Sequence, residues 1–280
     1  MASPTIPGND AEELQRLRGE IAALRLELEE TQKSTTQYLQ NVAHQLTAPL
    51  NAIKWNIEAI KDEKIPIPRK KSLLSSIYSQ GTILVHLIKN FSLMSNLEAD
   101  HELGQFRDQP EIISPLRLAI NQTGDFQPQA TESSKKLEVR MLTFDRVFGD
   151  DSLRVVKNLI AQALSNLLEN AIKYSYTGTT IYVEAITKEM DGESWRGISV
   201  VNTGFPISAA EIGQLQNRGF RGNAAKQKIP AGTGIGLYLA DKVMRLHGGV
   251  ITANAKGSET RITLLFPPSR IVRQAVRSDP

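Results

Sequence analysis

The chain of 280 residues contains no cysteine. That absence removes a disulfide framework, a thiolate metal site and a cysteine nucleophile together, and it suits a reducing compartment. No apolar run approaches the roughly 18 residues that a membrane span needs. The N-terminus also lacks the charged-then-apolar layout of a secretory signal. A soluble, cytoplasmic protein with no membrane segment is therefore expected. Charge of one sign is lacking too: 33 Lys and Arg stand against 30 Asp and Glu, a net +3. An excess so slight and dispersed is not the footprint of a nucleic-acid binder, so no nucleic-acid partner is expected.

What is present is a hydrophobic content of 40%, enough for a substantial core. At about 100 to 200 residues per domain, the length suggests two domains, or one domain with a long coiled segment. After a short start over residues 1–8 that reads as disordered, Asn9 or Asp10 can cap a helix. It carries Leu14, Leu17, Ile21, Leu24, Leu28, Thr31, Thr35, Tyr38 and Val42 in alternating steps of three and four. A narrow apolar seam sustained over heptads predicts a coiled coil and hence a homodimer. A single amphipathic helix packed on its own domain is the alternative.

The pattern runs on through Leu46, Leu50, Ile53, Ile57 and Ile60, with two steps of four around Val42 and Leu46. Pro49 follows that phase shift, and a bend is expected there because proline lacks the backbone donor and crowds the preceding turn. His44 lies two residues from both Val42 and Leu46, so at about 100° per residue it points away from the seam. Residues 61–71 are charged and hold Pro66 and Pro68, which marks a turn. A second helix then carries Leu74, Ile77, Gly81, Leu84, Ile88 and Phe91 at helical spacing, as an antiparallel partner would. Two such hairpins make a four-helix bundle, and dimerisation supplies the second copy.

Residues 9–99 thus read as a coiled coil and dimerisation hairpin, and 100–110 as a polar linker. Residues 111–268 read as a second domain, and 269–280 as a disordered tail. In the second domain Ser114 and Pro115 suit a helix start, 137–142 is strand-like, and 152–173 has a long helical pattern. Strands are expected over 180–186 and 197–201 around a turn at Asp191-Gly192. A helix is expected over 235–247, and a final hairpin pairs 250–255 with 260–266. Strands paired through hairpins, with helices on one face, indicate an α+β sandwich.

Four segments carry chemistry. Asn166, Asn170 and Lys173 are spaced four and three apart and share one helix face, while Leu167, Leu168 and Ala171 can pack inward. Two amide oxygens and an ammonium suit a hydrated Mg²⁺ and the phosphates it bridges; a polar solvent face is the alternative. Gly232-Thr233-Gly234-Ile235-Gly236-Leu237 opens the helix predicted over 235–247. There, glycines and free amides favour a polyphosphate. It is neither a Rossmann fingerprint nor a P-loop, because no strand leads directly into it and no Gly-Lys-Ser/Thr follows. Asn202-Thr203-Gly204 ends a strand, where Asn202 can pair with an adenine edge or simply terminate the strand. Residues 216–231, with Arg218, Arg221, Lys226 and Lys228, read as a cationic flap over phosphates or as a solvated loop.

In this order and spacing, the segments resemble the sensor histidine kinase family of two-component systems, from the first helix to Phe266. His44-Gln45-Leu46-Thr47-Ala48-Pro49-Leu50 is similar to the family's phospho-acceptor motif, commonly His-Glu-Leu-Arg-Thr-Pro-Leu. Asn166 to Tyr174 looks like its asparagine box, and Val201-Asn202-Thr203-Gly204 like the first glycine box. Gly219-Phe220-Arg221-Gly222 resembles the phenylalanine box, and Gly232 to Leu237 the second glycine box, followed by His247-Gly248-Gly249. The resemblance implies a dimeric helical bundle and an ATP-binding domain of the fold shared with gyrase and heat-shock chaperone ATPases. It implies that Asn166 and Asn170 hold Mg²⁺, that Lys173 and Arg221 meet phosphate, and that Tyr174 packs near adenine. It further implies that Asn202 reads the adenine amino group beside Gly204. Gly232, Thr233, Gly234, Ile235, Gly236 and Leu237 would line the nucleotide. His44 would take the γ-phosphoryl group of ATP and pass it to an aspartate on a response regulator receiver domain.

Three positions depart from the family pattern. Gln45 stands where an acidic residue usually accepts the imidazole proton; its amide can orient the ring but cannot act as a base. Ala48 replaces the Thr associated with the family's phosphatase reaction, and Asn202 replaces the usual Asp while keeping an acceptor oxygen. These departures leave a second reading: a catalytically degenerate ATP-binding dimer that regulates a partner by conformation. His86, His101 and His247 lack ligand spacing and are assigned structural or surface roles.

Overall fold

The computed structural model describes residues 8–61, 65–98, 109–228 and 234–273. The chain divides into two compact units, Met1–His44 and Gln45–Pro280. Helix α1, Gly8–Ile60, is unbroken and contains Pro49, so the proline does not end it. Within the first unit Leu17, Ile21, Leu24 and Leu28 of the predicted seam are all exposed. The side chains of Leu14, Thr31, Thr35 and Tyr38 lie outside the described residues.

Helix α2, Ile67–Glu98, is tied to the later part of α1 by Asn56, whose Nδ2 donates to Ser76 Oγ at 3.0 Å. This is the contact expected of a hairpin. Of the predicted seam, Leu74, Ile88 and Phe91 are exposed and Ile77, Gly81 and Leu84 half-buried, whereas Leu73, Ser79, His86, Leu93 and Met94 are buried. The seam is only partly covered because α2 also turns a face to helices that follow it in the chain.

Among the described residues, the rest of the second unit holds two sheets and the helices packed on them. The larger has the order β2-β4-β5-β7-β6, from β2 (Lys136–Val139), β4 (Thr180–Met190), β5 (Glu193–Thr203), β6 (Val250–Lys256) and β7 (Glu259–Phe266). Only β2 and β4 pair in parallel. The turn at Asp191-Gly192 is as expected: both residues have positive φ, 52° and 78°, and Met190 pairs with Glu193 across it. A two-residue loop of this hand matches the twist of the strands it joins. The smaller antiparallel sheet joins β1 (Glu111–Ile113), β3 (Ser152–Val155) and β8 (Ile271–Val272).

Helices α3 (Pro115–Glu132), α5 (Lys157–Tyr174) and α8 (Gly236–Leu246) cover the larger sheet. Helix α3 starts where the sequence predicts. Pro115 occupies the first turn, where no donor is needed, and Ser114 Oγ accepts from the Arg117 backbone N–H at 3.3 Å. The core lies between helices and strands: Leu164, Leu167, Leu168 and Ile172 of α5, Ile181, Ile198 and Leu264 of the sheet and Leu239 of α8 are all essentially inaccessible. The α+β sandwich is therefore as expected.

Three local expectations are corrected. The predicted helix over 152–173 is two elements, because Ser152-Leu153-Arg154-Val155 pairs with both β1 and β8 before α5 begins at Lys157. The strand-like run 137–142 ends at Val139. Helix α4, Met141–Phe148, takes over and buries Phe144 and Phe148 one turn apart. The start of the tail predicted as disordered is ordered through residue 273: Pro268–Arg270 forms a 3-10 turn and Ile271–Val272 an edge strand. Residues 274–280, the start over 1–7, and 99–108, which take in all of the predicted linker but 109 and 110, lie outside the described residues.

Candidate functional site

Helix α5 positions the asparagines. Its start is fixed from a distance rather than by a capping side chain: the Val156 backbone N–H donates to His247 Nε2 at 3.0 Å, and His247 Nδ1 donates to the Val243 carbonyl at 2.8 Å. Burial pushes the His247 imidazole below its usual range against the opposing effect of the Val243 bond, so the ring is held neutral. This is the structural role expected for His247; His101 lies outside the described residues.

Along α5, Asn166 is 1% exposed, while Asn170 and Lys173 are half-buried. At the C-terminal end of the helix the chain meets the end of β5. Phe205 N–H donates to the Tyr174 carbonyl at 3.1 Å, Tyr176 N–H donates to the Thr203 carbonyl at 3.0 Å, and Ser175 bridges Gly204. Asn202 is buried and follows Ile198 and Val200 on the same face of β5. The asparagine face, Tyr174, Asn202 and Gly204 are thus gathered at one end of the sandwich.

The glycine run enters the same region. Gly234 has φ +68°, and a Cβ there would sit 2.6 Å from the Gly219 carbonyl carbon, so only glycine allows the two backbones to touch. Gly219 N–H donates to the Gly234 carbonyl at 3.1 Å. A Cβ on Gly236, the first residue of α8, would lie 3.2 Å from Asn166 Oδ1. Ile235 is buried and Leu237 half-buried, whereas Gly232 and Thr233 lie outside the described residues. Of the predicted flap, Asn223–Lys228 forms a short helix, α7, and Arg221 donates from Nη2 to the Ala225 carbonyl at 3.3 Å. Residues 229–231 lie outside the described residues.

A polar cluster that the sequence reading did not single out borders Asn166. From α2, Asn90 Nδ2 donates to Asn166 Oδ1 at 2.8 Å, and Asn90 Oδ1 accepts from Gln162 Nε2 at 2.7 Å. Gln162 Nε2 also lies 3.0 Å from His86 Nδ1, and His86 Nε2 lies 2.9 Å from Glu169 Oε2 and 3.1 Å from Asn90 Nδ2. Burial pushes the Glu169 carboxyl up, but the hydrogen bond and charge of His86, with Lys173 beyond, outweigh it and hold the group below the ordinary glutamate value. Burial lowers the Lys173 ammonium; Glu169 opposes that shift and Arg221 adds to it. The sequence signal for this cluster was the polar Gln162, one turn before Asn166 on the same face.

The residues present fit a magnesium-bound polyphosphate. Asn166 and Asn170 offer neutral hard oxygens, Lys173 a cation, and the glycine run a close backbone approach. Asn166 Nδ2 is buried without a hydrogen-bond partner, an orphaned donor that a phosphate oxygen would satisfy. Among the described residues, no group of three or more His, Asp or Glu could hold a metal by itself. His44, the last residue of the first unit, is exposed on α1, and Gln45, the first residue of the second, is half-buried. Among the described residues, no helix is long and apolar enough to cross a membrane.

Comparison with known proteins gives two matching families. Residues 34–100 match the His Kinase A (phospho-acceptor) domain, and residues 155–270 match the histidine kinase-, DNA gyrase B-, and HSP90-like ATPase. The chain is 28% identical over 92% of its length to an uncharacterized sensor-like histidine kinase of Rhizobium meliloti, of which it covers 47%. It is 26% identical to sensor histidine kinase RcsC of Escherichia coli, over 85% of this chain and 24% of that protein. The corresponding figures for sensor protein GacS of Pseudomonas syringae are 26%, 92% and 28%. The chain thus spans less than half the length of these relatives. Among solved structures, full-length ShkA in complex with AMPPNP shares the fold, with a TM-score of 0.52 at 15% identity over 86% of this chain and 46% of that one.

Proposed function

The chain belongs to the sensor histidine kinase family, and on that footing we propose that it is an ATP-dependent autokinase. In this reading it phosphorylates its own His44 and passes the phosphoryl group to an aspartate of a response regulator receiver domain. The observation that carries the reading is the gathering of Asn166, the Tyr174–Gly204 contact and Gly234–Gly236 at one end of the sandwich, in a chain that also presents an exposed His44. A nucleotide would be held by Tyr174, Asn202 and Gly204 at its base. Lys173, Arg221 and residues 232–237 would hold its phosphates. Mg²⁺, held by Asn166 and Asn170, would supply charge neutralisation when bound.

The transfer is an in-line displacement: a bond forms between an imidazole nitrogen of His44 and the γ-phosphorus, and the bond from that phosphorus to the β–γ bridging oxygen breaks, releasing ADP. The His44 ring must also shed its N–H proton. Gln45 orients the ring through its amide oxygen and leaves the proton to solvent, which makes the step slow. Homodimerisation is supported by the exposed apolar positions Leu17, Ile21, Leu24 and Leu28 on α1 and Leu74 and Ile88 on α2. A second copy would cover them.

Gln45 also favours a second reading, in which the chain binds ATP without transferring phosphate and regulates a partner by conformation. Incubation with radiolabelled ATP and Mg²⁺ separates the two. The kinase reading expects acid-labile label that is lost in His44→Ala. Preserved ATP binding with no label establishes the second.

A further inference from the structure

From the contact between α2 and α5, we propose that Asn90 is a positioning residue that occupies the metal-facing oxygen of Asn166, so that Mg²⁺ coordination by Asn166 and docking of α2 compete. The inference rests on the ATP-binding reading above and concerns how α2 regulates that same site.

The Asn166 side chain has only two polar atoms, and the structure assigns each. Its Oδ1, beside the glycine run at Gly236, accepts from Asn90 Nδ2 at 2.8 Å; its Nδ2 is buried with no partner. A cation requires the oxygen, and the amide nitrogen of Asn90 presents N–H donors, the opposite polarity, toward it. While α2 is docked, the Asn90 N–H takes one of the two lone pairs of that oxygen and sets its positive hydrogen beside any cation on the other, so Asn166 offers a phosphate its N–H group but binds a metal at full strength only when Asn90 withdraws or the amide turns over. Turning over would set the nitrogens of Asn166 and Asn90 against each other.

The Asn90 orientation is itself fixed. Its Oδ1 accepts from Gln162 Nε2 at 2.7 Å, so the Asn90 amide cannot rotate without opposing two donors. Gln162 is held in turn by His86, which pairs with Glu169 one turn beyond Gln162's neighbour Ser165 on α5. His86 is 4% exposed and stands edge-on to Phe126 of α3 at 5.8 Å, so α2 is locked by packing as well as by polar contacts. The cluster links a helix of the hairpin directly to a metal-ligand candidate. Withdrawal of α2 would free the Asn166 oxygen, and metal-bound nucleotide would in turn disfavour the docked α2.

Equilibrium binding of ATP to the full chain, once with Mg²⁺ and once with EDTA, tests this with Asn90→Leu and Asn90→Ala. Each removes the donor while retaining a good helix former. The expected result is that the ratio of affinity with Mg²⁺ to affinity with EDTA rises about three- to tenfold over the unaltered chain, the range of one hydrogen bond. A residue that only supports the packing would weaken both affinities together. An unchanged or smaller ratio in Asn90→Ala overturns the proposal alone. Absence of ATP binding by the unaltered chain in both conditions overturns it together with the kinase reading.

Discussion

Gly204 backs directly onto Tyr174: a Cβ at position 204 would overlap the Tyr174 carbonyl oxygen. The end of β5 and the end of α5 therefore approach closer than any other residue type allows. Gly204→Ala must push apart two backbones, neither of which can rotate away, and the expected cost is about 3 kcal/mol. Thermal denaturation should show a clearly lowered Tm together with weakened ATP binding. A Tm within a degree of the unaltered chain would refute the close packing.

Gln45 stands next to the proposed nucleophile without a basic atom. Gln45→Glu supplies a carboxylate at the same reach, and the rate of acid-labile labelling on His44 should rise, by up to about a hundredfold. Gln45→Ala, which loses the orienting oxygen as well, should be slower than the unaltered chain. Equal rates in all three would dispose of the proton-acceptor argument.

Lys173 is the cation on the asparagine face, and burial lowers its pKa below the usual 10.5. The charged form is therefore lost as pH rises, earlier than for an exposed lysine. ATP affinity should fall on the alkaline side before the ordinary lysine range is reached. Lys173→Arg, whose guanidinium stays charged throughout, should flatten that limb. Persistence of the same limb in the arginine variant would assign it to another group.

His247 is buried and neutral, accepting from Val156 at the start of α5. Its folded pKa lies below the unfolded value of 6.5, so the unfolded chain binds the proton first. Stability from this group is complete above pH 6.5 and declines as pH falls toward the lowered folded value. Melting temperatures recorded from pH 8 to 5 should be level above about pH 7 and drop below it. In His247→Gln, which can still accept a hydrogen bond, the drop should shrink.

The parts of this architecture that sequence alone revealed are those with local causes. Ser114-Pro115, Asp191-Gly192 and the spacing of Asn166, Asn170 and Lys173 each act within a few residues, and each stands where the sequence places it. What it hid depended on distant partners. Leu153 and Val155 continue the apolar pattern of α5, and only pairing with β1 and β8 makes them a strand. Met141 and Leu142 extend the strand-like run before them yet are exposed at the start of α4, whose buried residues are Phe144 and Phe148. His86 and Asn90 look like ordinary polar positions on α2, because their meaning lies in Gln162, Asn166 and Glu169 more than seventy residues later.

The pairing of Leu153 with Ile271 also bears on the order of assembly. The hairpins β4–β5 and β6–β7 close through two-residue loops, at little entropic cost, whereas β1 reaches β3 across about forty residues and β8 reaches β3 only across more than a hundred. The hairpins are therefore the early products and the rung between β3 and β8 the late one. Pulsed hydrogen exchange during refolding should find Val183 and Val200 protected before Ile271; simultaneous protection would mean that the two sheets form as one.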